Sequence, residues 1–340
     1  MATFRRYPPS WVNLVLDWIN GLPIHPALFY ILFYLASVLL VHIALWADGS
    51  AGWGEWVSPV FFDMAWVPYA LGYLNLMERT AARSLEEFRP VLALKKNDFE
   101  AVKYHFLTMP FWPVLLLSVA GFIFGVWLVY RGHSMAASQF SQALWALLSG
   151  PGYTFTPVWI YAAWWHVSQI SQLYRQVGEF NLFDLQPFYG LARVTMLIGA
   201  FSVITASMNY IWEVLLGTPS MTPETALLVS FFALVIGVVV TVVPLWGIHQ
   251  KIENNKQQLL THNARQIEEL HQNLQADLAK KKLGNLEKLE KGLHALFTMR
   301  TNIRDVPAWP WRPGAFRNFA SAILLPVLLL ILERVVSQFF

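Results

Sequence analysis

Seven stretches of about twenty mostly apolar residues, separated by polar connections, set the rhythm of this chain: 26–46, 58–77, 109–130, 153–172, 190–215, 225–246 and 315–336. Most are apolar all round rather than along one stripe. At about 1.5 Å per residue, about twenty residues match the hydrocarbon thickness of a bilayer, where a helix satisfies every backbone hydrogen bond internally. The second stretch is the most interrupted, by Pro59, Asp63, Pro68, Gly72 and Asn75. Counting it as a span keeps the basic segment 79–103 on the same side as Arg5 and Arg6, as the positive-inside rule requires. The pattern therefore predicts an all-α polytopic membrane protein with seven transmembrane helices.

Three segments break the pattern. Trp11, Val12, Leu14, Val15, Trp18 and Ile19 recur at helical spacing, which predicts an amphipathic helix in the N-terminal segment 1–25, lying on the membrane surface or packed on the bundle. A helix is expected over 79–108. From 249 to 304 the chain turns polar, and Leu260, Ile267, Leu270 and Leu274 keep a three-and-four rhythm that Leu286, Leu289, Leu293 and Leu296 keep more strictly. With Leu283-Gly284-Asn285 as the turn, this is a coiled-coil-like hairpin with arms of roughly 25 to 35 residues. The expected organisation is thus an N-terminal segment 1–25, spans one to six over 26–248 with the helix 79–108, an assembly hairpin 249–304, and a re-entry linker with the seventh helix over 305–340.

Composition sharpens this reading. The chain is 56% hydrophobic and only 13% charged, which excludes an ordinary soluble domain, and its 16 Trp and 12 Tyr suit interfacial aromatic belts. With the N-terminus inside, only Arg131 and Arg334 of the 24 lysines and arginines fall outside. The expected orientation is therefore N-terminus cytosolic and C-terminus outside, in a cell inner (plasma) membrane. No secretory signal peptide is read at the N-terminus. The net charge of +3 follows from that asymmetry and points to no nucleic-acid partner. Cysteine is absent, which excludes disulfides and thiolate chemistry. No span carries a lysine, so a retinal Schiff base is excluded as well.

Candidate chemistry is sparse. HExxH, GxGxxG, P-loop and GxSxG patterns are missing, so neither an enzyme nor a metal or cofactor site is expected. Ionisable groups inside spans are costly and therefore worth testing for function: His42, Asp63, His166 and Glu213, with a His42–Asp63 pair geometrically possible. In the seventh helix, Ser321, Leu325, Leu328, Leu329, Leu332, Glu333, Ser337 and Gln338 would line a pore, the leucines as a hydrophobic gate and the polar residues at the outer mouth. Leu286, Leu289, Leu293 and Leu296 are the candidate assembly stripe. Two compact segments, 176–189 and 306–314, read as shaped elbows, the first with Asn181 and Asp184 able to bond local backbone and the second with two tryptophans and three prolines.

Seven spans with the N-terminus inside, a long extension of the sixth helix, a returning helix and a final span near the C-terminus resemble the seven-transmembrane channel superfamily of insect odorant and gustatory receptors. That resemblance implies a homotetramer held by the later cytosolic helices, with the last helix lining a cation pore. Residues 286–300 would correspond to the anchor helix and 315–336 to the pore helix. Gln338-Phe339 matches a Gln-Phe pair of that family, while Ile331-Leu332 stand where its Thr-Tyr pair falls. Phe88-Arg89-Pro90-Val91-Leu92, Asn181-Leu182-Phe183-Asp184-Leu185 and Trp309-Pro310-Trp311 look like segments of bacterial membrane proteins, a likeness that carries no activity. Three functions compete: a homo-oligomeric ion channel gated by a small molecule or otherwise, a sensor or scaffold acting through the hairpin, and a small-solute transporter using Asp63 and His166.

Overall fold

The computed structural model describes residues 7–92, 94–132, 138–178, 180–215, 223–279, 286–312, 314–321, 324 and 328. Among them the chain is all-α: ten helices and no strand. Helix α1 (Trp11–Asn20) starts where the Ser10 hydroxyl accepts the Asn13 N–H, and it buries Val12, Leu16 and Ile19 at i, i+4 and i+7. Packing on the bundle consumes that face, while Leu14 and Trp18 remain exposed.

Helices α2 (Pro26–Ala47), α3 (Ser58–Leu92), α5 (Phe111–Gly132), α6 (Gln139–Gln176), α7 (Gln186–Leu215) and α8 (Pro223–Val242) form the bundle, with α3 packed against α2, α6 and α7. The expected helix over 79–108 divides: its first part continues α3 to Leu92, and its second is the separate α4 (Lys96–Leu107). Pro90 cannot donate to the Glu86 carbonyl, and the helix ends two residues later. Helix α6 opens at Gln139, well before the expected 153. Its early turns look too polar for a span, but their buried stripe is Ser141, Trp145, Ala146, Ser149 and Gly150, small or aromatic residues at helical spacing.

Several helix pairs approach at glycines, and in two of them, α5–α6 and α7–α8, the glycine faces a backbone carbonyl. A Cβ on Gly125 of α5 would lie 2.5 Å from the Tyr153 Cβ and 2.8 Å from the Gly150 carbonyl oxygen of α6, and one on Gly121 would lie 2.9 Å from the Tyr153 carbonyl oxygen. Between α7 and α8, a Cβ on Gly237 would lie 2.8 Å from the Gly199 carbonyl oxygen. Such small-residue contacts bring backbones together where apolar side chains gain nothing by leaving lipid.

Four stretches are long and apolar enough to cross a membrane: Pro26–Ala47, Phe111–Leu128, Gln186–Ala206 and Leu228–Ala279. The third is 61% buried and the others 22 to 28%, which puts α7 inside and α2, α5 and α8 at the rim. The rim exposes Leu32, Leu40, Leu116, Ile123, Phe232 and Ile236, a belt that water would not tolerate on this scale. At Pro244 a 3-10 turn, Val243–Leu245, leads α8 into α9 (Trp246–Ala279), and α10 (Leu286–Asp305) returns alongside it. The arms have 34 and 20 residues, the second shorter than expected. The expected turn at 283–285 lies outside the described residues.

Candidate functional site

The ionisable groups in the apolar helices are held by their own chain. His42 is fully buried; its Nδ1 lies 2.8 Å from the Val38 carbonyl oxygen, and its Nε2 accepts the Val57 N–H at 2.9 Å. With Nδ1 donating and Nε2 accepting, the neutral imidazole is satisfied at both nitrogens. It pins the loop between α2 and α3 onto α2, with Trp46, Trp56 and Phe61 around the ring. The conceivable His42–Asp63 pair is therefore not formed. Asp63 is buried on α3 and accepts the Trp145 indole N–H of α6 at 2.8 Å. His166 is buried on α6 with Nδ1 at 2.9 Å from the Ala162 carbonyl oxygen and its ring edge-on to Phe106; its Nε2 has no partner. Glu213 falls in the last turn of α7, and its side chain lies outside what is described.

Of the expected pore positions, Ser321 and Leu328 are exposed. Leu325, Leu329, Leu332, Glu333, Ser337 and Gln338 lie outside the described residues. Of the expected assembly stripe, Leu286 opens α10, and Leu289, Leu293 and Leu296 are half-buried. Their helix packs on α9 where Gly292 meets Leu270 and the buried Asn263 amide donates to the Leu296 carbonyl at 3.1 Å. Zipping the hairpin within one chain thus uses part of this stripe.

A set of specific contacts gathers where α9, the 177–185 elbow and the linker to the last helix meet. The Lys251 ammonium donates to the carbonyls of Tyr174, Arg175 and Val177 at 3.2, 3.1 and 2.6 Å, capping the C-terminus of α6. One turn on, the Lys256 ammonium donates to the carbonyls of Arg304 and Val306 at 2.7 and 2.8 Å, doing the same for α10. Helix C-termini leave carbonyls unpaired and carry partial negative charge, so a cation there is doubly suited. The elbow is shaped as expected: the Asn181 side chain accepts the Phe183 N–H at 3.0 Å, and Leu182, Leu185 and Phe188 are buried. The Tyr174 hydroxyl donates to the Phe188 carbonyl at 3.0 Å, and burial pushes its phenol pKa up, so it stays a donor.

From this clamp a continuous ladder of rings runs to the last helix. His249 stacks on Trp309 at 4.1 Å between centroids, Trp309 on Trp311 at 4.8 Å, and Trp311 on Phe316 at 4.9 Å. Pro310 keeps Trp309 extended, which suits alternate side chains to one side. The His249 Nδ1 also lies 3.0 Å from the Ala308 carbonyl oxygen. Residues 315–321 are helical, and Phe319 is buried beside Met196 and Val203 of α7. Packed rings thus connect α9 to the start of the last helix.

The sequence reading missed Lys251, Lys256 and the His249 end of the ladder, because their partners are remote in the chain. It also passed over Gly121 and Gly125, whose i, i+4 spacing in an apolar helix is a legible packing signal. No family model, curated protein or solved structure gives a significant match to this chain.

Proposed function

We propose that this chain is a seven-span inner-membrane protein, N-terminus in the cytosol and C-terminus outside, that works as a subunit of a homo-oligomeric ion channel with the last helix at the pore. The observation that carries the reading is the exposure of that helix at the positions described. Among its described residues Phe319 is the one buried anchor on the bundle, while Phe316, Leu324 and Leu328 stand exposed. Apolar side chains exposed at these positions suit contact with a second copy as well as with lipid, and the ring ladder supplies a path from α9 to them. The span count draws on the four apolar stretches, on α3 and α6 as their long, more polar partners in one bundle, and on the last helix. Orientation draws on the basic residues.

The transporter reading rests on Asp63 and His166: Asp63 accepts the Trp145 indole N–H, whereas the buried His166 is engaged through Nδ1 alone and keeps an unpaired Nε2. The scaffold reading draws on the hairpin, whose Leu278, Phe297 and Met299 are exposed. Reconstitution separates these readings. Purified protein in nanodiscs is expected to be a symmetric oligomer, tetrameric by the family resemblance, with residue 328 near its axis. Leu328→Ser or Leu329→Ser is expected to raise conductance in planar bilayers. A monomer, or an intact oligomer with conductance unchanged in both variants, would refute the channel reading; a hairpin that captures a defined cytosolic partner would favour the scaffold.

A further inference from the structure

Beside the root of the last helix lies a cleft of about 680 Å³ lined by Glu87 of α3, Asp184 of the elbow, Gln186, Tyr189 and Arg193 of α7, and Arg312 of the linker. A smaller hollow of about 220 Å³ shares Tyr189, Arg193 and Arg312 and reaches Trp311. Two guanidinium groups and two carboxylates thus surround one space, and they hardly neutralise each other. Arg193 and Glu87 are 4.0 Å apart and about half exposed, well beyond the roughly 2.8 Å of a charge-assisted hydrogen bond. Arg312 and the Asp184 carboxylate have no ion pair among the described residues. The Trp311 indole N–H is buried without an acceptor. Glu87 is held in place because Gly190 leaves it room: a Cβ there would come 2.7 Å from the Glu87 Oε2.

A space whose two arginines and two carboxylates are at most loosely paired fits a ligand that is itself a zwitterion. Two arginines suit a phosphate, whose oxygens accept their paired N–H groups, and two carboxylates suit a primary ammonium that can donate to both. The surroundings favour a lipid as its source. Trp246, Trp309, Trp311 and the exposed Phe316 cluster at the same junction, the residue types that sit at headgroup level, and give acyl chains an apolar edge. The geometry points to this cleft as a binding site for the phosphoethanolamine headgroup of an inner-leaflet phospholipid, with Arg193 and Arg312 on the phosphate and Glu87 and Asp184 on the ammonium. A headgroup there would bridge α3, α7 and the linker, and so hold the start of the last helix. The leaflet rests on the orientation proposed above; the charge pattern does not.

The test uses the full chain in nanodiscs of mixed phosphatidylethanolamine, phosphatidylglycerol and phosphatidylcholine, with bound lipid read by native mass spectrometry. Phosphatidylethanolamine is expected to be retained over both others. Arg312→Gln, on the exposed linker, is expected to lower its retention about tenfold, the size of one charge-assisted contact. Glu87→Gln with Asp184→Asn is expected to turn the preference toward anionic phosphatidylglycerol, an outcome that simple damage to the fold would not produce. Equal retention of all three lipids by the unaltered protein, or unchanged selectivity in both variants, would overturn the proposal. Saturable binding of soluble phosphoethanolamine in detergent without any lipid preference in nanodiscs would overturn the lipid as the source. Oligomeric state and conductance play no part in this readout. A lipid-selective monomer would sink the channel reading alone, and a conducting oligomer without lipid preference would sink this one alone.

Discussion

Replacing Lys251 with Met keeps the aliphatic stem and removes the ammonium that caps α6. Three carbonyls lose their donor, at 2.6, 3.1 and 3.2 Å. A hydrogen bond from a charged group contributes about 1.5–3 kcal/mol. The 2.6 Å bond to the Val177 carbonyl contributes most of that; the bonds to Tyr174 and Arg175 add less because they are longer, and at the exposed Arg175 water also competes. A total of about 2–3 kcal/mol follows, and since 1.36 kcal/mol is a factor of ten, local opening should become about 30- to 150-fold more frequent. Hydrogen–deuterium exchange in nanodiscs reads this at 172–178, with the Pro26–Ala47 helix as an internal reference. Lys251→Arg keeps the charge but replaces a compact ammonium with a planar fork, so it should recover only part of the protection. Unchanged protection at 172–178 in Lys251→Met would refute the cap and with it the clamp at the root of α9.

Three further substitutions probe separate contacts. Gly125→Leu places a side chain where even a Cβ would lie 2.5 Å from the Tyr153 Cβ; it should cost more than about 2 kcal/mol, seen as a lower thermal midpoint in detergent, whereas Gly49→Ala meets no neighbour and costs only the strain of its positive φ. His42→Leu strips the Val57 N–H of its acceptor and should destabilise by about 1–3 kcal/mol, visible as faster exchange around 48–57. Glu78 is pushed up to about 7, first by burial and then by Asp17 of α1, against the pull of Arg79. Because its folded pKa lies above the unfolded one, its contribution is fully present below about pH 4.5 and is lost as pH rises through about 7. Protection of α1 should therefore fall between about pH 5 and 8 and become flat in Glu78→Gln; an equally steep fall in that variant would show the dependence lies elsewhere.

How much of this was legible from the sequence depends on how far each signal travels. The all-round apolar runs fix α2, α5 and α8 within a few residues, because a bilayer constrains composition locally. The start of α6 was hidden, since its buried stripe uses serines and Gly150, residues that look like a loop until Gly125 and Val126 of α5 are set against them. Asn181 could be read because its partner is two residues away. Lys251 could not, because its partners lie 74 to 77 residues earlier and their only mark is the end of a helix. His42 stands between: its side chain signals a buried polar contact, but the acceptor role toward Val57 appears only once the loop has folded back.

The same distinction separates structure from function here. Polar groups inside the apolar helices were natural candidates for transport chemistry, yet His42 is taken up by Val38 and Val57, and Asp63 by Trp145. A group whose hydrogen bonds are met by its own chain has a structural reason to exist, and the cost of burying it is already offset. By that criterion the features still waiting for a partner include the buried His166 Nε2, the exposed Phe316, Leu324 and Leu328 of the last helix, and the charges of Arg193, Arg312, Glu87 and Asp184 around the cleft at its root. The exposed side chains ask for an apolar neighbour and the charges for a zwitterion. Both of these sets sit at the end of the ladder from His249 to Phe316, so whatever satisfies either one acts on the same few turns of helix.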